Sequence, residues 1–204
     1  MFPASVALTL FLTVLSAGGC TITPPTTEDR RAEAVESAPP APPSSLSIAA
    51  IERAVFEAAN EARRQQGLAA LGPDAALAQI ARKHSARMAT AGFFAHRDDL
   101  GQQPADRAQA DGYDYRRFGE NLFRGALWDT RTTRRSPLGE VSVAYNWHTP
   151  ATLADEVVEG WLTSPSHRDN LLSPDYARMG IGVATDDESD VFVTQNLSLL
   201  RDGS

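Results

Sequence analysis

The chain has 204 residues, of which 42% are hydrophobic and 22% are charged, and its formal net charge is −7. This length and composition suit one domain of ordinary size, with room for a leader and a linker. The negative charge argues against a nucleic-acid-binding protein, which usually carries a basic stripe, and against a polybasic membrane-surface domain. Cys20 is the only cysteine, so no internal disulfide can form and packing must hold the fold together.

The first twenty residues are typical of an export signal. The apolar run over residues 6–17 is too short to span a bilayer comfortably, but it suits the core of a signal peptide. Small residues precede Cys20, as in a lipobox, where the thiol is acylated and the cysteine becomes the new N-terminus. Two features depart from that pattern, because Ala17 stands where leucine is usual and no Lys or Arg precedes Arg30. We predict a lipoprotein-type signal peptide over residues 1–20, with an ordinary secretory leader as the alternative.

Residues 21–46 are rich in Thr, Pro, Ala, Ser and Glu and contain repeated Pro-Pro pairs. So little apolar surface cannot offset the conformational entropy that folding would cost. We predict a disordered linker here, which would hold a folded domain over residues 47–204 away from a membrane face.

Apolar residues at helical spacing predict helices in the first part of the domain and again after residue 150. Asp74 is a suitable N-cap for the second helix, and Thr152 with Asp155 has the spacing of a capping box ahead of the fourth. The expected helices run over residues 48–66, 75–92 and 104–110, and from residue 152 onwards.

Alternating β-branched residues predict strands at the end of the domain. Met179–Thr185 and Val191–Leu199 flank an acidic turn and are expected to form a hairpin. A further strand is expected near residues 121–125. Between residues 127 and 150 the pattern is irregular, and this segment is either a lip over a cleft or a surface loop, in which residues 141–145 form an edge strand. Helices with a small, mainly antiparallel sheet define an α+β fold.

Two histidines and one carboxylate stand beside residues that suit turns or helix ends: His96, Glu120 and His167. Imidazole and carboxylate are ligands of zinc and also the groups of acid–base chemistry. Each side chain has a structural alternative. His96 would be an exposed loop residue, and Glu120 would hold backbone amides. His167, with Ser166 as the expected N-cap, would tie a short helix to the loop around Glu120.

The remaining polar candidates have simpler interpretations. His84 lies on an apolar helical stripe and is expected to be a satisfied, partly buried core histidine. His148 is expected on an exposed loop, with a position that reaches the cleft as the alternative. Trp161 is expected in the core. The amides of Gln195 and Asn196 on the last strand could orient Glu120.

The order of the motifs resembles the bacterial branch of the CAP superfamily, also called SCP. The motifs are Gly-Phe-Phe-x-His at 92–96, Gly-Glu-Asn at 119–121, Trp-Leu-x-Ser-Pro-x-His-Arg-x-Asn-Leu-Leu at 161–172 and Met-Gly-Ile-Gly-Val at 179–183. The resemblance covers residues 48–199, essentially all of the foldable chain. It implies an α-β-α sandwich with a small, mainly antiparallel sheet flanked by helices.

The resemblance also implies a central cleft in which two histidines and one or two glutamates sometimes hold zinc. His96, Glu120 and His167 match three of these positions, while Ser164 stands where the family has its second glutamate. Two histidines and one glutamate still suffice for a three-ligand zinc site with an open position.

These observations predict an exported cell-envelope protein, anchored to the membrane through Cys20, whose cleft binds a small molecule, a lipid or an envelope component, with or without a divalent metal. A secreted or soluble periplasmic protein is the alternative location. The functional alternative is a zinc-assisted hydrolase that uses the same cleft residues. The sequence favours binding, because the domain has no Gly-x-Ser-x-Gly elbow, no cysteine and no His-Glu-x-x-His motif. In a third interpretation the three side chains only stabilise the fold.

Overall fold

The computed structural model describes residues 39–201, so the predicted signal peptide with Cys20, and the predicted linker up to residue 38, lie outside the described residues. None of the described helices combines the length and apolar character that crossing a bilayer requires. In chain order the described elements are α1 (Ile48–Gln65), β1 (Gly72–Pro73), α2 (Ala75–Ala91), α3 (Pro104–Ala110), β2 (Arg117–Ala126), β3 (Trp128–Arg135), β4 (Val141–Trp147), α4 (Pro150–Thr163), α5 (Pro165–Leu171), β5 (Arg178–Thr185) and β6 (Asp190–Leu199).

The main sheet has four strands in the order β1-β5-β6-β2. The predicted terminal hairpin is confirmed, since β5 and β6 pair antiparallel. Strand β2 pairs antiparallel with β6 at the edge of the sheet, and this register sets Glu120 opposite Asn196 and Asn121 opposite Gln195. Because side chains alternate along a strand, Glu120 and Asn121 face opposite sides of the sheet.

Helices cover both faces of this sheet, which confirms the predicted α+β fold and the α-β-α sandwich. On one side, Val193 of β6 packs in the same cluster as Val55 of α1 and Trp161 of α4. On the other side, Phe192 of β6 packs with Met88 of α2. The alternation of β6 therefore divides the apolar residues between two layers of helix.

Helix α2 lies directly against β5 because two glycines of that strand leave room for its backbone. A Cβ atom at Gly180 would collide with the backbone nitrogen of Ala78, and one at Gly182 would collide with that of Arg82. The Met-Gly-Ile-Gly-Val motif thus places small residues on the α2 side of β5 and apolar side chains on the other. This close approach sets the distance between α2 and the sheet.

The structure corrects two predicted helix starts. Helix α4 begins at Pro150 with Thr149 as its N-cap, whereas Thr152 is the third residue of the helix and completes the reciprocal capping box with Thr149. Proline suits the first helical position because its missing N–H has no intrahelical partner there. Helix α5 begins at Pro165, after Ser164 rather than the predicted Ser166. Asp74 caps α2 as predicted and accepts hydrogen bonds from the first turn.

Residues 127–150, which look irregular in sequence, form a hairpin. Strands β3 and β4 pair with each other in a separate two-stranded sheet, so the predicted edge strand at 141–145 does not join the main sheet. Trp128, Tyr145 and Trp147 form a cluster of aromatic contacts at the base of the hairpin, with ring centroids 5.2–6.1 Å apart. Strand β3 was not expected because its run of arginines and threonines lacks apolar alternation.

The close approach of α2 to β5 predicts that an alanine at Gly182 is destabilising, whereas an alanine at a glycine with free space is not. Gly182→Ala should lower the free energy of unfolding by about 3 kcal/mol, because the new methyl group meets helix backbone that cannot rotate away. Gly160→Ala in α4 is the matched control, since its methyl group would make an ordinary 3.4 Å contact with Phe123. The control should leave stability unchanged or raise it by up to about 1 kcal/mol through helix propensity. Urea denaturation measures both, and equal effects would contradict the packing argument.

Candidate functional site

Glu120 is a buried carboxylate on the edge strand β2, only 5% exposed to solvent. Its Oε1 atom lies 2.9 Å from Nδ1 of His96, and its Oε2 atom accepts a 2.7 Å hydrogen bond from Nη2 of Arg107. Burying a carboxylate is costly unless it is paired and hydrogen-bonded. Both oxygens of Glu120 are satisfied, one by an imidazole and one by a guanidinium.

Arg107 connects the carboxylate to the loop that carries His96. Its side chain is 8% exposed, and its Nη1 atom donates to the backbone oxygens of His96, at 2.9 Å, and of Gln102, at 3.0 Å. Sequence reasoning predicted α3 but missed Arg107, since a seven-residue helix rich in polar residues does not reveal which charge turns inward. The only indication of Arg107 in the sequence was that Glu120, if buried, would need a nearby cation.

His167 reaches the same place from the other layer of the sandwich. It lies on α5, and its ring centroid is 6.3 Å from that of His96 in an edge-on arrangement. The His96 side chain is 46% exposed, and that of His167 is partly buried. Burial lowers the pKa of His167, and the positive charge that His96 can carry lowers it further. The structure therefore brings together all three side chains predicted from sequence, at the open edge of the sheet.

An amide network attaches α5 to the opposite face of β2. Asn121 donates to the backbone oxygen of His167 (3.0 Å) and to Oε1 of Gln195 (2.9 Å). Asn170 donates to Oδ1 of Asn121 (3.0 Å) and to the backbone oxygen of Glu120 (3.2 Å). These contacts fix α5 on β2, and the position of His167 follows from them.

The two amides on β6 have different partners. With its amide oriented to suit both neighbours, Asn196 donates to Oε2 of Glu120 at 3.3 Å and accepts from the backbone N–H of Ala81 at 3.3 Å. Gln195 faces the other layer and contacts Asn121 instead. Only Asn196 is placed to orient Glu120, because the two residues alternate across the sheet.

His84 is a core histidine, as predicted, but at 1% exposure it is fully rather than partly buried, and it is only half satisfied. Its Nε2 atom lies 3.0 Å from the backbone oxygen of Ala95 and 4.0 Å from Oε1 of Glu120. Among the residues that the structure describes, its Nδ1 atom has no hydrogen-bond partner. Burial lowers the pKa of His84, which favours the neutral ring.

His148 lies on the loop between β4 and α4, as predicted, but the predicted exposure is wrong. Its side chain is 9% exposed, and its ring lies 3.1 Å from Oε2 of Glu156 and 3.3 Å from Oγ1 of Thr152. The β3–β4 hairpin, which was not expected, returns the chain to the start of α4, where Thr152 and Glu156 contact the ring.

The atoms that remain available as metal ligands determine whether the site could hold the expected zinc ion. Both oxygens of Glu120 are already committed, so the ring nitrogen of His96 that Glu120 does not contact, together with His167, remains for a ligand. Within residues 39–201 no group of three His, Cys, Asp or Glu side chains has the arrangement of a metal site. The three-ligand zinc site at His96, Glu120 and His167 therefore stays a prediction that this geometry does not favour.

The proximity of the two imidazoles predicts that a charge at His96 affects the pKa of His167. Replacing His96 with glutamine, which retains a hydrogen-bond donor but no charge, should raise the pKa of His167. The value should remain below the ordinary 6.5, because burial, the larger cause, is unchanged. NMR titration of the imidazole carbons measures the pKa. His148→Gln is the control and should leave it unaltered, while a lower or unchanged pKa in the His96 variant would contradict the assigned proximity.

The buried ion pair predicts a strongly non-additive mutant cycle. Arg107→Met and Glu120→Leu should each lower the free energy of unfolding by about 3–5 kcal/mol, because each leaves an uncompensated buried charge. The double variant should be less destabilised than the sum by about 1–3 kcal/mol. Urea denaturation of the four proteins gives the coupling free energy, and additivity would show that the two groups do not depend on each other. The exposed pair of Arg64 and Glu61 is the control and should show little coupling.

Comparison with known proteins agrees with this fold and with the motifs. Residues 56–197 match the Cysteine-rich secretory protein family, CAP. The protein YkwD of Bacillus subtilis (strain 168) is 29% identical over 136 residues, which are 67% of this chain and 43% of that protein. The chain therefore spans less than half the length of this curated relative.

Two solved structures are similar to the chain. An extracellular protein containing an SCP domain from Bacillus anthracis str. Ames has a TM-score of 0.58 and 23% identity over 79% of this chain and 45% of that one. An outer surface protein of Borrelia burgdorferi has a TM-score of 0.60 and 16% identity over 76% of this chain and 97% of that one. At these identities the likeness establishes the fold alone. Because the family match covers more than half of its length, the chain belongs to the Cysteine-rich secretory protein (CAP) family.

Proposed function

We propose that the chain is an exported cell-envelope protein whose CAP domain binds a small ligand between His96 and His167 without catalysing a reaction. The observation that carries this proposal is the pair of imidazoles, 6.3 Å apart at the open edge of the sheet, each held by its own layer. A lone exposed histidine is unremarkable, but two that are anchored separately form a site whose geometry is set before binding.

The hydrogen bonds of His96 support a defined chemistry for this pair. Glu120 is an acceptor paired with Arg107, so Nδ1 of His96 carries the proton that it donates to Oε1. In the neutral ring the lone pair then resides on Nε2. The lowered pKa of His167 favours its neutral form as well. The site thus offers imidazole lone pairs, which suit a hydrogen-bond donor or a divalent transition metal.

Binding is favoured over zinc-assisted hydrolysis because, among the described residues, the site has no free carboxylate that could act as a base. A hydrolytic site of that kind needs protein ligands for the metal and a free base beside it. Glu120 is engaged by His96 and Arg107, and Ser164 stands where a second glutamate would be expected. If a metal binds, His96 and His167 would hold it and Glu120 would orient His96, as carboxylates behind ligating histidines commonly do.

Export and an envelope location rest on the sequence and on the similar proteins. Residues 1–20 have the pattern of a lipoprotein signal with Cys20 at its end, and residues 21–46 have the composition of a tether. Two similar structures are described as an extracellular protein and an outer surface protein. We propose that Cys20 carries the membrane anchor, with a soluble secreted or periplasmic form as the alternative.

Titration of the purified protein with zinc(II) by calorimetry tests the site, since zinc is the simplest ligand for two imidazoles. The wild type should show saturable one-site binding, and His96→Ala and His167→Ala should each weaken it at least tenfold. His148→Ala is the matched control, because it removes a histidine outside the site, and should bind like the wild type. Unchanged binding in both site variants, or no binding by any protein, would contradict joint action of the two imidazoles.

A further inference from the structure

The β3–β4 hairpin extends from the domain with little support from other elements. Its strands pair with each other, and apart from that they make few contacts with the other described helices and strands. Trp147, at the base, packs against the main core cluster, whereas Val141, near the turn, is 53% exposed. A two-stranded hairpin is only marginally stable in water and normally needs a third strand or a helix packed on it. This hairpin would therefore gain stability from pairing with a further strand.

The two edges of the hairpin differ in charge. Strand β3 carries Asp129, Arg131, Arg134 and Arg135, whereas β4 has no charged residue. Charged side chains on an edge strand oppose pairing with another chain, and an uncharged strand rich in β-branched and aromatic residues favours it. Within residues 39–201, β4 pairs with no strand other than β3. The free edge of β4 is therefore the edge that suits a further strand.

The backbone groups on this edge follow from the register of the hairpin. At the turn, the backbone N–H of Ser136 donates to the backbone oxygen of Glu140. Residues of an antiparallel strand alternate between those that bond to the neighbouring strand and those that do not. Counted from Glu140, Ala144 bonds to β3, and its neighbours Val143 and Tyr145 do not. The free edge thus presents the N–H and C=O groups of Val143 and Tyr145 to a further strand.

The sequence of β4 is complementary to itself in the antiparallel direction. Ala144 is the midpoint of this seven-residue strand. Two copies paired about Ala144 set Val143 of one copy opposite Tyr145 of the other. The same pairing sets Val141 opposite Trp147. Pairs of a β-branched and an aromatic side chain stabilise antiparallel sheets, so a second copy provides suitable neighbours for each of these residues.

This pairing also keeps like surfaces together. Tyr145 and Trp147 lie on one face of β4, where their rings stack with centroids 5.6 Å apart. Ser142 and Asn146 lie on the other face, because side chains alternate along a strand, and would oppose each other across the junction. All three arginines of the hairpin belong to β3 and would occupy the outer strands of a four-stranded sheet. No like charges would meet where the two copies join.

We propose that the free edge of β4 is a homodimer interface, at which the β4 strands of two copies pair antiparallel about Ala144 and join two hairpins into one four-stranded sheet. A second copy is the favoured partner because the edge is complementary to its own sequence. Stable complexes usually engage roughly 20–30 residues on each side, so an interface of one seven-residue strand should give a transient dimer. The interface includes neither His96 nor His167 and is independent of the proposed function.

Disulfide trapping in the full chain tests the pairing and its register. With Cys20→Ser as the background, Ala144→Cys places two thiols at the two-fold axis, where opposite Cα atoms are about 4.5 Å apart and can be bridged. Ser142→Cys is the matched control, since residue 142 is equally exposed on the same face, but its two copies would lie about 14 Å apart. Under mild oxidation the Ala144→Cys chain should form a covalent dimer at least tenfold faster than the control.

Sedimentation equilibrium of charge variants tests the interface without a covalent link. Ala144→Lys sets two like charges opposite each other at the axis and should weaken the dimer at least tenfold, as should Ala144→Glu. An equimolar mixture of these two variants should dimerise again, because each pair then has opposite charges. Thr132→Lys is the control, since it adds the same charge opposite Ala144 on β3 but away from the axis, and should change the dissociation constant less than threefold.

Three results would each overturn the proposal: a wild-type chain that stays monomeric up to about 1 mM, equal cross-linking of the two cysteine variants, or no recovery in the mixture of charge variants. A hairpin that pairs only with an extended segment of a different protein would give the first result. The His96→Ala/His167→Ala variant should dimerise like the wild type. Loss of zinc binding and loss of dimerisation are therefore separate outcomes.

Discussion

The burial of one carboxylate, Glu120, is the constraint on which the site depends. A charge this deeply buried is tolerated only with partners on both oxygens. Arg107 supplies one partner and, through its other terminal nitrogen, holds the backbone oxygens of His96 and Gln102. The loop that carries His96 therefore takes its position from the cation that compensates Glu120.

Because side chains alternate along β2, this constraint also affects the helix layer that contains α5. Glu120 and Asn121 are neighbours on β2 but face opposite sides of the sheet, so one residue organises the α2–α3 side and the other binds α5. His96 and His167 belong to different layers and meet because β2 is the edge strand, where no further strand separates the layers. The spacing of the imidazoles is thus a property of the sheet.

The features that could be predicted from the sequence are those that neighbouring residues specify. Asp74 capping α2 and the β5–β6 hairpin are specified by side chains within a few residues, and both were predicted correctly. The start of α4 was misplaced because Thr149 and Thr152 are both competent caps, and only the position of Pro150 separates them. Strand β3 is defined by its pairing with β4, which is not a local signal.

The residues of the candidate site also differ in whether the sequence alone could identify them. His96, Glu120 and His167 could be named because each stands in a recognisable motif, whereas Arg107 could not, because its role exists only where Glu120 is buried beside it. Among the residues that the structure describes, Nε of Arg107 has no hydrogen-bond partner, and the same contacts account for this. A guanidinium is planar and rigid, so fixing both terminal nitrogens on Glu120 and on two backbone oxygens also fixes the direction of Nε. That donor is left without a partner by the pairing that satisfies Glu120, and no rotation of Arg107 about its own bonds can satisfy it without breaking the ion pair.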